Sequence, residues 1–226
     1  VPQTASAEGM WVGTTADNRA VQGFVLDDGG YYAVYTEPFG SSIVGIIQGS
    51  GSSLNGTYTT SNARDYYFGG SPYVESVTVT GNYVPMQTIS GESVWTDGTR
   101  ASFSVVYDSR YDEIPSLTTV AGTYSGEVVG GSESLGVNSD DIVATISTGG
   151  TITGSSTYGC SFGGTVTPRS HGNVYNVSII MGGAPCLFPN QTLTGMFYYG
   201  SDTHIAFSAA KTADRSGGLI LLAQKQ

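Results

Sequence analysis

Apolar residues come along this chain in short alternating runs, one about every 10 to 15 residues, with Gly, Pro, Asn, Asp and Ser in the intervals. A period of two predicts β-strands. The firmest local element is a hairpin: residues 21–26 run into Asp27-Asp28-Gly29-Gly30 and out through 31–35, and the Asp-Gly step supplies the positive φ angles of a tight turn. Further strands are predicted at 43–48, 56–60, 74–83, 91–96 and 100–107, which with the opening segment makes about seven or eight in the first half. The second half reads as eight: 122–129, 142–147, 150–155, 163–167, 174–181, 191–199, 204–209 and 218–224. Gly, Pro, Ser or Thr interrupts nearly every window long enough for a helix, which leaves one turn at 208–215 as the best helical candidate.

One motif occurs twice. Gly9-Met10-Trp11-Val12-Gly13 and Gly122-Thr123-Tyr124-Ser125-Gly126 share a G-x-aromatic-x-G pattern, each followed by strands. Two related halves of about 110 residues, each near the size of a domain, are therefore expected. The boundaries expected are a tether at 1–8, an acidic lobe at 9–110, a connector without alternation at 111–120, and a second lobe at 121–226. The fold class is all-β, with two related antiparallel eight-stranded small barrels or sandwiches in tandem, since both arrangements protect strand edges. Alternation of Thr192 and Thr194 with Leu193, Gly195 and Phe197 suits a filled core. A membrane-spanning barrel needs segments of about 9 to 11 residues with a lipid-facing apolar band, and most of these strands are shorter.

Composition agrees with strands: 33 Gly, 15 Tyr and only 12% charged residues leave few strong helix formers. The net charge of −10 is uneven, −8 up to Val120 and −2 from Ala121 onward. No basic cluster exists to neutralise phosphates, which argues against nucleic acid and anionic lipid head groups as partners. The longest apolar run, residues 219–223, has the length of one buried strand, too short for a transmembrane helix. The two cysteines, Cys160 and Cys186, flank strand-like runs and are expected to form a disulfide, which suits an exported protein. The first eight residues carry no basic and apolar signal segment, so any signal peptide is expected to have been removed or to lie outside these residues.

Catalytic and metal chemistry finds little support. His171 and His204 lie too far apart for a helical zinc pair. Gly159-Cys160-Ser161-Phe162-Gly163 matches the G-x-S-x-G pattern formally, but a strand follows it where a nucleophile elbow needs a helix. Asp27-Asp28, Asp112-Glu113 and Asp140-Asp141 lack calcium-loop spacing and read as turn residues. No phosphate-binding loop surrounds Lys211 or Lys225. No catalytic residue, cofactor or metal site is expected.

Adjacent aromatics remain. Tyr31-Tyr32, Tyr66-Tyr67-Phe68 and Tyr198-Tyr199 place neighbouring rings on opposite faces of a strand, so one ring of each pair is expected outside, where Tyr31, Tyr32, Tyr66, Tyr67, Tyr198 or Tyr199 could contact a partner. A resemblance bears on which partner. Gly9–Gly13, Val25 through Tyr32, Ser61-Asn62-Ala63-Arg64-Asp65, Gly182-Gly183-Ala184-Pro185-Cys186 and Leu193-Thr194-Gly195 together resemble a group of poorly characterised envelope lipoproteins of Gram-negative proteobacteria. The likeness covers nearly the whole chain, through strands and turns rather than a site. It implies export, lipidation at a cysteine upstream of these residues, and anchorage in the outer membrane, at the cell surface or facing the periplasm. More loosely, the paired lobes are similar to surface lipoproteins that bind host transferrin or complement factors, an architectural analogy that does not fix function. The expected function is a non-enzymatic binding module for a protein or glycan; an enzyme inhibitor or envelope structural factor comes second, and a hydrolase with an unrecognised site last.

Overall fold

The structure is a computed structural model that describes residues 6–60 and 62–226. Residues 1–5 of the expected tether, and Ser61, lie outside the described residues. The chain divides into two compact units, Val1–Tyr111 and Asp112–Gln226.

The first unit contains β1 (Gly9–Thr15), β2 (Ala20–Val25), β3 (Gly30–Thr36), β4 (Ile43–Leu54), β5 (Thr57–Thr60), β6 (Ala63–Tyr67), β7 (Val74–Val84), β8 (Thr88–Trp95) and β9 (Arg100–Tyr107). All pairings are antiparallel, and the sheet closes because β3 also pairs with β4. The short strands β5 and β6 share one position between β4 and β7. The inner part of β4 pairs with β6 along Gly45–Gln48 and its outer part with β5 along Gly51–Leu54, and β7 pairs with the same two strands. The result is a closed barrel with eight strand positions.

After a four-residue helix α1 (Leu117–Val120), the second unit runs through β10 (Gly122–Ser132), β11 (Gly136–Ile146), β12 (Thr151–Ser156), β13 (Ser161–Pro168), β14 (Tyr175–Met181), β15 (Thr192–Gly200), β16 (Ile205–Lys211) and β17 (Gly217–Lys225). Each strand pairs with the next and β17 returns to β10, a closed up-and-down barrel. Among the described residues no helix is long and apolar enough to cross a membrane.

The repeated motif is the start of each barrel, and its three fixed positions have separable physical reasons. Gly9 and Gly122 take φ of +153° and +149°, a region that L side chains avoid, and a Cβ there would meet Tyr107 and Lys225 of the closing strand at 2.6 and 2.5 Å. The aromatic rings of Trp11 and Tyr124 enter the barrel, and each donates a hydrogen bond to a carbonyl four residues earlier: Trp11 Nε1 to Ala7 O at 3.0 Å, Tyr124 OH to Val120 O at 2.5 Å. Gly13 and Gly126 let the closing strand's backbone approach, since a Cβ would lie 2.1 Å from Ser104 O and from Leu222 O respectively.

Those contacts redraw the expected boundaries. Ala7 is fully buried and its N–H donates to Ser53 Oγ at 3.0 Å, so the end of the expected tether is packed on the first barrel. Much of the expected connector belongs to the second barrel. Val120 is fully buried, Leu117 packs against the core, and the Ser116 N–H donates to Tyr175 OH at 2.7 Å. The helical turn expected at 208–215 is instead the end of β16 and a hairpin turn, in which Thr212 and Asp214 hold the chain through a 2.7 Å side-chain bond. The strand expected at 204–209 is present as β16, and pairing with β15 and β17 on both sides carries it on to Lys211.

Cys160 and Cys186 form a disulfide, with Cα atoms 4.6 Å apart. It ties the β12–β13 turn to the segment 182–191 between β14 and β15.

Candidate functional site: a cavity in the first barrel

Whether an eight-stranded barrel is solid or hollow depends on the inward side chains and on what closes its ends. The second barrel is filled. Tyr175, Leu193, Phe197 and Tyr199 point inward, Leu117 and Val120 close one end, and Leu187 and Phe188 pack into the core from the segment 182–191.

The first barrel is closed at one end only. There Ala7 sits under Trp11, Trp11 meets Tyr107 edge-on at 5.4 Å, and Tyr31 meets Tyr58 edge-on at 5.8 Å. Above that floor the small residues Gly23, Ala33, Ser93 and Ala101 alternate along β2, β3, β8 and β9 with Val21, Tyr35, Trp95 and Phe103, and they leave space between those larger walls. The far end is framed by the connecting loops 16–19, 37–42, 68–73 and 96–99. The space left has a volume of about 600 Å³, inside the usual size range of small-molecule sites.

A second repeated motif explains the open end. Gly69-Gly70-Ser71-Pro72 follows β6 and Gly182-Gly183-Ala184-Pro185 follows β14, and both X-Pro bonds are cis. Past the proline the halves diverge. In the first, Tyr73 leads straight into β7; in the second, residues 186–191 intervene and carry the disulfide and the Leu187-Phe188 plug. The first barrel has no such insertion, so its mouth lacks a stopper of that kind.

Apolar and aromatic walls surround one buried charge. Asp65, on β6, is 5% exposed and lines the cavity. Its Oδ1 accepts from Tyr35 OH at 2.7 Å and its Oδ2 from Trp95 Nε1 at 2.8 Å. Burial pushes its pKa up to about 6, opposed by those two hydrogen bonds. Burial also raises the Tyr35 pKa, with the Asp65 charge adding to it. Gly45 makes this arrangement possible: a Cβ there would lie 2.2 Å from the Tyr35 hydroxyl. At the rim Arg19 is bonded to Asp17 at 2.8 Å and to Thr36 O at 3.1 Å, and its guanidinium lies 5.6 Å from the Tyr35 ring centre.

The raised Asp65 pKa fixes the sign of a pH effect. The folded protein holds a proton that the unfolded chain releases at lower pH, so Asp65 favours folding below about pH 6 and this contribution is lost as pH rises through that value. Stability of the first barrel should therefore increase from pH 7.5 to pH 5, by roughly 2 kcal/mol at most. Calorimetric melting at the two pH values checks this; a first-barrel melting temperature that falls on acidification contradicts it.

The tyrosines expected on the surface are not an exposed patch. Tyr31 and Tyr199 point into their barrels, and Tyr67 is half-buried on the cavity wall. Tyr32, Tyr66 and Tyr198 are buried too, at 8, 1 and 6% exposure. Neither ring of any of the three pairs lies in open solvent. Ser161 of the G-x-S-x-G match begins β13, beside the disulfide, and His204 receives or gives a 2.9 Å hydrogen bond at Tyr199 OH, just ahead of β16. Asp65, Tyr35 and Trp95 were not singled out as a site by the sequence. They lie 30 residues apart in turn and meet only through barrel closure. The usable signal was the pair of G-G-[SA]-P motifs with unequal sequence after the proline.

Fold and site together define a two-barrel protein with a hollow first barrel. No protein-family model matches the chain, and no curated protein matches it. Among solved structures, the chain is similar to a protein of unknown function from the DUF3598 family of Nostoc punctiforme, at 8% identity and a TM-score of 0.35, covering 99% of this chain and 96% of that one. It is also similar to transferrin binding protein B from Neisseria meningitidis, at 11% identity and a TM-score of 0.34, and to the same protein from Haemophilus parasuis, at 10% and 0.34. Each of those two matches covers 92% of this chain, which spans 66% of their length. Likeness at this level is architectural and carries no functional argument.

Proposed function

We propose that this chain is a non-enzymatic binding protein whose first barrel takes an apolar small molecule into its cavity, while the filled second barrel has a structural role. The observation that carries the reading is the contrast between two related barrels, one plugged at both ends and one holding about 600 Å³ behind an open mouth. A core that could be closed with a short insertion, as the second half shows, is left hollow in the first. The disulfide supports an exported protein in an oxidising compartment, the periplasm or the cell surface. The sequence resemblance to envelope lipoproteins supports anchorage at the outer membrane through an N-terminal lipid. A protein or glycan partner is the second reading, favoured by Phe39, 85% exposed in the β3–β4 loop at the mouth.

The test is a titration with the neutral fluorophore N-phenyl-1-naphthylamine. Saturable enhancement is expected from the whole chain. Ala33→Phe, which directs a ring into the cavity, should abolish it while leaving the melting temperature unchanged or higher. Enhancement of equal strength in a folded Ala33→Phe variant overturns the proposal.

A further inference from the structure

The buried carboxylate in this cavity says something about the ligand, on the premise that the cavity is the binding site. We propose that the first barrel selects an organic cation: an apolar molecule carrying an ammonium group, whose nitrogen is held at Asp65 under the rings of Tyr35, Tyr67 and Trp95 while its apolar part fills the space above Trp11.

Four observations converge. Asp65 is the deeply buried charge of the cavity wall, and among the described residues no Lys or Arg makes an ion pair with it. The Arg19 charge acts on Asp65 without an ion pair, and a buried carboxylate is costly without a closer counter-charge, which a cationic ligand supplies. Tyr35 OH and Trp95 Nε1 each donate to one of its oxygens, and each oxygen keeps acceptor capacity for a ligand N–H. The surrounding walls are aromatic faces, which attract cations as well as apolar groups.

The rim has the same sign. Asp17, Glu75 and Asp97 line the cavity with Asp65, against Arg19 and Arg100. Both arginines are already engaged, Arg19 with Asp17 at 2.8 Å and Arg100 with Glu92 at 2.6 Å. Glu75 accepts from the Thr96 hydroxyl at 2.6 Å and Asp97 from Thr99 at 2.8 Å, and among the described residues neither forms an ion pair. A carboxylate-bearing ligand would meet this negative field on entry and Asp65 at depth; an ammonium meets attraction at both. Arg19, 5.6 Å from the Tyr35 ring centre, shows that a cation is already accommodated on this aromatic surface.

The experiment is calorimetric titration of the whole chain at pH 7.5 with three probes of equal length: n-decylammonium, n-decanol and n-decanoate. Decylammonium should bind at least about tenfold more tightly than decanol, and decanoate more weakly than either. Asp65→Asn should erase the preference for the ammonium while decanol binding persists. The ranking on the unmodified chain decides the matter by itself if that variant fails to fold. Equal affinity for decylammonium and decanol, or preference for decanoate, overturns the cation inference and leaves the apolar-cavity reading standing. Failure of all three probes to bind overturns both.

Discussion

Gly126→Ala should cost the second barrel at least about 3 kcal/mol, and Gly13→Ala should do the same to the first. The added methyl would lie 2.1 Å from Leu222 O and 2.4 Å from Ala223 Cα in one case, and 2.1 Å from Ser104 O in the other. Those are backbone atoms of the closing strand, so relief requires the β10–β17 or β1–β9 seam to open rather than a side chain to swing away. Strands of a small barrel coil strongly, and a glycine on the inner face is where the neighbouring backbone can cross closely. Gly23→Ala is the control. Its Cβ would have nothing nearer than 3.8 Å, because it faces the cavity, and the substitution should be neutral or mildly stabilising. Thermal unfolding of the three variants checks this. A Gly126→Ala protein melting within a degree or two of the parent contradicts the close-packed seam.

Removal of the disulfide is the second large effect expected. The bond joins residues 26 apart, and releasing a loop of that length costs about 3 kcal/mol in the chain-entropy account. For a unit of this size that corresponds to a fall in melting temperature on the order of 10 °C. The loss should fall on the second barrel, because the bond holds the segment that seats Phe188, 1% exposed, in the core. Cys160→Ala with Cys186→Ala should therefore lower the second-barrel transition and leave N-phenyl-1-naphthylamine binding by the first barrel intact. Loss of both together, or of neither, contradicts the assignment of the plug.

Much of the fold was legible in the chain. The Asp-Gly hairpin, the paired G-x-aromatic-x-G openings and most strands follow from local chemistry, since turn residues and alternation act within a few positions. Strand extents were less legible. Residues 136–141, Gly-Val-Asn-Ser-Asp-Asp, carry no apolar alternation, yet they form the outer part of β11 because β10 pairs with them as far as Ser132↔Gly136. The Gly/Ser-rich end of β4 is likewise held by β5, and Ala63–Tyr67 is held between β4 and β7. These are cases where pairing in the closed sheet overrides propensity.

The site was nearly invisible for a different reason. A cavity is made of what is missing, and Gly23, Ala33, Ser93 and Ala101 line one space only once the barrel has closed. Asp65 looked like one acid among the 18 of an acidic chain. Its role follows from burial and from donors on β3 and β8. The tyrosines misled because alternation says which face a ring occupies, not whether that face is open to water.

The most direct test of the hollow first barrel is an amide chemical-shift titration of the whole chain with N-phenyl-1-naphthylamine. The account predicts saturable shifts confined to the strands that line the cavity, centred on Ala33, Asp65, Trp95 and Ala101, with the second barrel unperturbed. Shifts scattered over outer faces and the second barrel, or no shifts at saturating probe, would contradict it.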